Sequence, residues 1–390
     1  MERRPVIIVG SGPAGTATAI ALHRRDPNLA REVLILEKAR HPRPKVCAGG
    51  LIPAGRHWMD AHDIPLTVPH VTVHRAQVTT PARILGHDDD KLCYVIRRNE
   101  LDAALADAAR ARGIEIRENE AVQALERDGD GIRVVGRRDT WHAPLVIGAD
   151  GAGSLVRRRL VDDRRTRLAR AVMTDVPVAA LRWEGFARDR YDFDFRLLRR
   201  GLRGYLWAFP CLIDGVPHAN IGAYAVTPSG AALDDELSAY LAELGAGAPR
   251  RVAFPIHWYE PGARIAADGA WLVGDAAGVD PLMGEGISLA MEYGDLAAAA
   301  IVEAVRRRDP AAAPYQRAFE ASWLGAKLRR LHFTTRFFYG PATWRLAFAL
   351  AEHSRRLRAL GLRWYNGVDG WDRRSGWEAL AAVLTNRVTV

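Results

Sequence analysis

The sequence predicts an α/β protein: a Rossmann-like nucleotide-binding domain interleaved with an antiparallel β-sheet domain and followed by a helical C-terminal region. Three observations predict it. The chain opens on a β-branched run, Val6-Ile7-Ile8-Val9, that leads through a glycine-bearing turn into small aliphatic residues. Two later apolar runs, Leu145-Val146-Ile147-Gly148 and Ala270-Trp271-Leu272-Val273, each end in a small-residue turn with one aspartate, Asp150 and Asp275. Between and after them the texture changes, first to alternating aromatic strands and then to amphipathic helices.

The first turn is Gly10-Ser11-Gly12-Pro13-Ala14-Gly15. In a strand–turn–helix setting Gly10 permits the turn, Gly12 lets a pyrophosphate approach the backbone, and Gly15 allows close helix–strand packing. Pro13 and Ala14 begin the helix, whose N-terminal N–H groups and dipole favour phosphate. A second strand, Val33-Leu34-Ile35-Leu36, ends in Glu37, where a carboxylate meets the ribose hydroxyls of an adenine dinucleotide.

A basic, proline-broken loop follows, His41-Pro42-Arg43-Pro44-Lys45, and leads into Val46-Cys47-Ala48-Gly49-Gly50. Paired glycines beside a cysteine point to close approach of backbone and ligand. Cys47 reads as a thiol activated by Lys45 and nearby arginines, or as a small buried hydrophobe. Arg98 opens a helix running towards Gly113, placed to reach a phosphate or ribose; an exposed arginine without a task is the alternative. A β-meander is expected from Ala121 to Val135 with Asp128-Gly129-Asp130-Gly131 as its turn, and Asp150 is suited to holding backbone N–H groups or a ligand hydroxyl.

From about Val172 to Pro255 the pattern is that of a sheet with one solvated face. Its clearest strand, Gly204-Tyr205-Leu206-Trp207-Ala208-Phe209-Pro210, sets Tyr205, Trp207 and Phe209 on one face. That aromatic wall lines a pocket for a large apolar or planar substrate, or fills the core. Asp275 then suits a sugar or ribityl hydroxyl, and the N–H groups of residues 284–287 open a long alanine-rich helix ending near Arg308. The tail carries Trp344-Arg345-Leu346 and Arg355-Arg356-Leu357-Arg358, an amphipathic surface that packs on the domain or rests on anionic lipid.

The expected division is 1–171 with 256–310 for the nucleotide domain, including inserted strands near 55–97, then 172–255 for the sheet domain and 311–390 for the helical tail. A net charge of +9 over 390 residues comes from arginines spread along the chain. It suits acidic substrates or a membrane surface, or is simply a solvated basic surface, which is the favoured reading, with no patch that points to nucleic acid. The three cysteines form neither a disulfide framework nor a metal spacing, which fits a reducing cytoplasm, peripheral at the inner face of the membrane if the tail meets lipid. No run approaches ~18 apolar residues.

The glycine turn with Glu37, the Ala149-Asp150-Gly151 segment and the Gly274-Asp275 segment, in that order, resemble the flavoprotein hydroxylase superfamily typified by p-hydroxybenzoate hydroxylase. Within it, Lys45-Val46-Cys47-Ala48-Gly49-Gly50-Leu51 and the Tyr205–Pro210 strand resemble the geranylgeranyl reductase family. Ala48 stands where those reductases commonly carry a third glycine.

The resemblance implies FAD as cofactor. Gly10, Gly12, Gly15 and Glu37 would lie on its ADP half, Arg98 near the pyrophosphate, and Asp275 on the ribityl link. Gly284, Gly286 and Ile287 would sit under the flavin pyrimidine, with Asp150 and Gly151 behind the nucleotide. It adds Pro13, Ala14, Lys38, Lys45, Ala48, Gly49, Val122, Gly274 and Pro281 to the cofactor set. Cys47, Tyr205 and Trp207 become the catalytic candidates, Cys47 and Tyr205 as proton donor or positioning groups, in hydride transfer to a prenyl double bond.

No second glycine fingerprint follows a strand, so NAD(P)H visits transiently or a protein donates the electrons. Two alternatives stand beside the reductase: a monooxygenase acting on an aromatic or natural-product substrate, and a flavoprotein acting on a protein partner in maturation.

Overall fold

Val6–Val9 is buried at every residue because it lies inside a six-stranded sheet. The computed structural model, which describes residues 1–161, 167–226 and 230–385, orders that sheet Ala266–Ala267, Ala270–Leu272, Leu145–Gly148, Val6–Val9, Leu34–Leu36, Glu115–Arg117. All pairings are parallel except the short edge pair Ala266–Ala267 with Ala270–Leu272. The register sets Val9 opposite both Gly148 and Leu36, and Gly148 opposite Leu272. The turns bearing Gly10, Glu37, Asp150 and Asp275 therefore leave one carboxyl edge, where α/β sheets bind ligands.

The helix Pro13–Arg25 lies against the helix Ile287–Arg307 on one face of this sheet. Gly294 makes the contact possible, since a Cβ there would stand 2.7 Å from the Ala17 carbonyl carbon. The expected meander is present as Ala124–Asp128, Gly131–Val135 and Thr140–Ala143, joined in parallel by Glu2–Arg3.

An eight-stranded sheet forms the second layer: Val252–Trp258, Arg167–Pro177, Val216–Ala225, Gly204–Ile213, Arg190–Asp194, His70–Thr79, Ile84–Ile96 and Gly50–Leu51. Gly50–Leu51 pairs with Ile84–Ile96 at the edge, which anchors the Cys47–Gly49 loop beside this sheet. Gly222 lies opposite Trp207, and a Cβ on it would come within 2.2 Å of the indole. The glycine leaves room for the ring.

The one-sided pattern expected for residues 172–255 needs correction at the aromatic strand. Every residue from Gly204 to Cys211 is buried, on both faces. The helix Gly230–Glu243 covers the neighbouring strand Val216–Ala225 and buries Leu233, Leu237 and Leu241, so the face expected to meet water meets a helix instead.

The tail folds as Ala312–Ala321, Trp323–Phe338, Trp344–His353, Arg355–Asn366 and Gly376–Leu384; residues 386–390 of the expected tail region lie outside the described residues. Tyr315 pins its start, stacking on Trp271 at 4.8 Å and donating to the Leu272 carbonyl at 2.9 Å. Phe348 packs between Phe338 and Phe195, with ring centroids 4.7 and 5.1 Å away, and ties the tail to the sheet. Among the described residues no helix is long and apolar enough to cross a membrane.

Candidate functional site

Gly10 takes φ +102°, a conformation that favours glycine, and a Cβ there would lie 2.5 Å from the Ala149 carbonyl oxygen. At Gly15 a Cβ would stand 1.9 Å from the Gly10 carbonyl oxygen, so strand and helix meet backbone to backbone. Pro13 begins the helix, and no side chain caps its N-terminus. The first N–H groups face the turn unclaimed by a cap.

Glu37 is buried at the next strand end and held in one orientation. Its Oε2 accepts from the Ser11 N–H at 2.9 Å and from Ser11 Oγ at 2.8 Å, and its Oε1 accepts from the Ala39 N–H at 3.0 Å. Arg43 pairs with Glu37 and with Asp102, each at 3.4 Å, and Asp102 grips Arg98 through two bonds of 2.7 and 3.1 Å. Alternating charges in a mostly buried chain fix both guanidiniums beside the glycine turn. Arg98 is thus not an idle surface arginine.

Across the sheet edge, Lys45 sits 3.3 Å over the Phe254 ring and within the field of Asp275. Burial lowers its pKa to about 8, against the pull of Asp275 in the opposite direction. The Asp275 carboxyl is itself pushed up by burial, with Lys45, Arg98 and Arg157 opposing.

The turn before the helix Ile287–Arg307 is held by three tyrosines. Tyr224 donates to the carbonyl of Pro281 at 3.0 Å, Tyr339 to that of Leu282 at 2.9 Å, and Tyr205 to that of Met283. Beneath it the buried Asp280 accepts from the N–H groups of Leu282 and Met283 at 2.7 and 3.0 Å, and from the Tyr365 hydroxyl at 2.9 Å. Donors and acceptors on both sides leave this turn little freedom before it presents Gly284–Ile287.

One cavity of about 1050 Å³ joins these parts. It runs from Gly10, Gly12 and Glu37, past Lys45, Cys47 and Asp275, over Gly284–Ile287, and along Tyr205, Trp207 and Phe209 to the C-terminal helices. At that far end its wall is Phe193, Phe195, Phe338, Phe348, Trp364 and Tyr365.

The first part of the chain, residues 3–193, matches the FAD binding domain family. A digeranylgeranylglycerophospholipid reductase from Methanothrix thermoacetophila is 30% identical over 322 residues, covering 79% of this chain and 80% of its own. The chain belongs to the geranylgeranyl reductase-like FAD-dependent oxidoreductases. A menaquinone reductase from Mycobacterium tuberculosis is likewise 30% identical, over 75% of both chains. The crystal structure of a geranylgeranyl bacteriochlorophyll reductase-like protein from Thermoplasma acidophilum has the same fold, with a TM-score of 0.72 at 20% identity over 87% of this chain and 88% of that one.

The cavity of this reductase-like flavoprotein fits a dinucleotide. A Cβ on Gly12 would meet only the Arg43 guanidinium at 3.6 Å, and one on Gly151 would meet nothing within 4 Å, so both glycines border open space. Asp150 uses Oδ2 to accept from the N–H groups of Leu155 and Val156 at 2.6 and 3.3 Å, while Oδ1 is buried with no hydrogen-bond partner among the described residues. A buried carboxylate oxygen beside the cavity calls for a donor such as a ligand hydroxyl.

Most expected site residues meet on this one wall: Gly10, Gly12, Pro13, Ala14, Glu37, Lys38, Lys45, Cys47, Ala48, Gly49, Arg98, Val122, Asp150, Gly151, Tyr205, Trp207, Asp275, Gly284, Gly286 and Ile287. Three do not line the cavity. Gly15 and Gly274 stand one layer back, where a Cβ would strike the Gly10 carbonyl and the Ala14 Cβ, and Pro281 turns its carbonyl to Tyr224.

Of the catalytic candidates, Cys47 lines the cavity half-buried, its Sγ 3.4 Å from the Gly49 nitrogen. The hydroxyl of Tyr205 is engaged by the Met283 carbonyl, and burial pushes its pKa well up. Trp207 donates to Asn220 Oδ1 at 2.8 Å and offers the cavity its ring. Sequence reasoning missed Arg43 and the aromatic end of the cavity. Arg43 lay in a basic loop already noted, and the tail aromatics had only helical periodicity to mark them.

Proposed function

We propose that this flavoprotein saturates carbon–carbon double bonds of a long isoprenoid chain carried by a lipid or a quinone. The single observation that carries the reading is the continuity of the cavity. One cavity links the dinucleotide turn to a chamber walled by aromatic rings. Flat and flexible apolar chains gain about 25 cal/mol per Å² on entering such a chamber from water. The relatives named above act, by their names, on an isoprenoid lipid and on a quinone.

In this reading Gly10, Gly12, the helix start at Pro13 and Glu37 hold the adenosine and phosphates, with Arg43 and Arg98 supplying positive charge. Asp275 and the 284–287 turn hold the flavin end. FAD, when bound and reduced there, would supply the hydride for one carbon of the double bond. Cys47 then gives the proton that completes the addition at the other carbon. Tyr205, Tyr224 and Tyr339 keep the 281–283 carbonyls turned away from the substrate. Residues 1–171 and 256–310 serve the cofactor, 172–255 form much of the substrate wall, and the tail closes it. Electrons arrive from transiently bound NAD(P)H or from a protein donor.

The test is single turnover without oxygen. Protein reduced with dithionite and given geranylgeranyl lipid or menaquinone should return product heavier by two hydrogens per double bond, read by mass spectrometry. Nicotinamide oxidation in air with oxygen incorporated into an aromatic substrate, and no saturation, refutes the reading in favour of a monooxygenase. In the same assay Cys47→Ala should retain FAD and slow saturation by about 10²-fold, the lower range for a positioned general acid. An unchanged rate removes Cys47 from the mechanism.

A further inference from the structure

The helix Trp344–His353 leaves Leu346 56% and Leu350 48% exposed, one turn apart on the same face. In the next helix, Arg355–Asn366, Leu357 is 37% exposed while also lining the far end of the cavity with Arg358 and Gly361. Leu357 thus reaches both the chamber and the surface. Arg345, Arg355 and Arg356 neighbour these leucines in the sequence, and Arg355 and Arg83 are close enough to Arg358 to depress its pKa after burial.

The charge there is one-sided. Glu352 is the single acid in the two helices, and it is turned inward: its carboxylate is 8% exposed, accepts from Thr80 and pairs with Arg83 at 3.8 Å. Exposed leucines next to arginines, on two helices whose one acid is turned inward, match the depth profile of an anionic bilayer, with apolar tips among acyl chains and guanidiniums at the phosphates; Asp88, on the adjoining strand Ile84–Ile96, is paired with Arg75 at 3.9 Å. The next helix, Gly376–Leu384, packs on Arg355–Asn366 and leaves Trp377 and Leu384 exposed seven residues apart. Tryptophan is a residue suited to the headgroup level.

We propose that the outer face of Trp344–His353 and Arg355–Asn366 docks on an anionic phospholipid bilayer, so that an isoprenoid chain passes from the membrane into the cavity beside Leu357 without crossing water. The proposal rests on the isoprenoid reading above for what passes, but not for the docking itself.

The holoenzyme is floated with vesicles of equimolar phosphatidylglycerol and phosphatidylcholine, and with phosphatidylcholine alone. Binding is expected to the anionic vesicles and to fall in ~1 M salt, where the Debye length shrinks to ~3 Å. The double variant Leu346→Asp/Leu350→Asp and the triple variant Arg345→Glu/Arg355→Glu/Arg356→Glu should each bind about tenfold less or weaker still. Both should keep bound FAD and an unaltered rate on a short, water-soluble isoprenoid. Holoenzyme that stays unbound with anionic vesicles, or variants that bind as well as the parent, overturns the docking. So does a dimer in solution that the leucine variant dissociates, since a second copy would then own the face. Failure on the short isoprenoid with vesicle binding intact overturns the substrate reading and leaves the docking standing.

Discussion

Replacing Lys45 with methionine should stabilise the FAD-free protein near neutral pH, and the gain should vanish in alkali. Burial holds the ammonium at a pKa of about 8 against an ordinary 10.5, although the Phe254 ring face and Asp275 both favour the charged form. A gap of that size corresponds to about 3 kcal/mol, at about 1.4 kcal/mol per tenfold. Below pH 8 the lysine is charged in the folded and unfolded chains alike, and the folded state bears the whole cost. Between pH 8 and 10.5 the unfolded chain binds the extra proton, so stability rises with pH across that window and the cost disappears.

Lys45→Met removes the group, so parent and variant should differ by about 3 kcal/mol at pH 7 and converge towards pH 10.5. With an unfolding entropy of about 2.1 cal/mol/K per residue this is about 4 °C in Tm, measured by circular dichroism at matched pH. FAD binding should show the mirror effect. Its phosphates bring negative charge into the same cavity and favour the protonated lysine, so affinity should fall above pH 8 in the parent and stay level in the variant. Parallel Tm profiles from pH 7 to 10.5 would refute the burial argument.

Three other outcomes follow from the same geometry. Gly15→Ala drives a Cβ into the Gly10 carbonyl and should cost about 1–3 kcal/mol of stability, with weaker FAD retention by fluorescence titration. Tyr365→Phe deletes the bond to Asp280 and should lower stability by about 1 kcal/mol in denaturant unfolding, with a changed flavin absorbance envelope because the 281–287 turn loses one support. Ala351→Trp fills the cavity's far end and should shorten the longest isoprenoid accepted, seen as a KM rising steeply with chain length at unchanged kcat for short substrates.

The cofactor end was legible because its chemistry sits at strand ends. A buried parallel strand needs a continuous apolar run, and the turn after it needs small residues, so Gly10, Asp150 and Asp275 announced themselves locally. The aromatic end of the cavity was legible only along the strand Gly204–Ile213. Phe338, Phe348, Trp364 and Tyr365 obey the same helical periodicity as any packed helix, and periodicity reports that a face is covered without saying by what. Arg43 resembled any arginine in a polar loop, because its meaning comes from Glu37 and Asp102, residues brought to it only by folding. The burial of Gly204–Cys211 on both faces was hidden for a like reason, since the helix that covers the neighbouring strand Val216–Ala225 follows in the chain.

The bond from Tyr365 to Asp280 joins the helix Arg355–Asn366 to the turn that seats the flavin end in the proposed reading. A lineage altering these tail helices to suit a longer or bulkier lipid would also tug on the redox end. Substrate range and flavin reactivity in such proteins should therefore have drifted together rather than separately, and grafting a foreign tail should disturb colour and potential before it changes specificity.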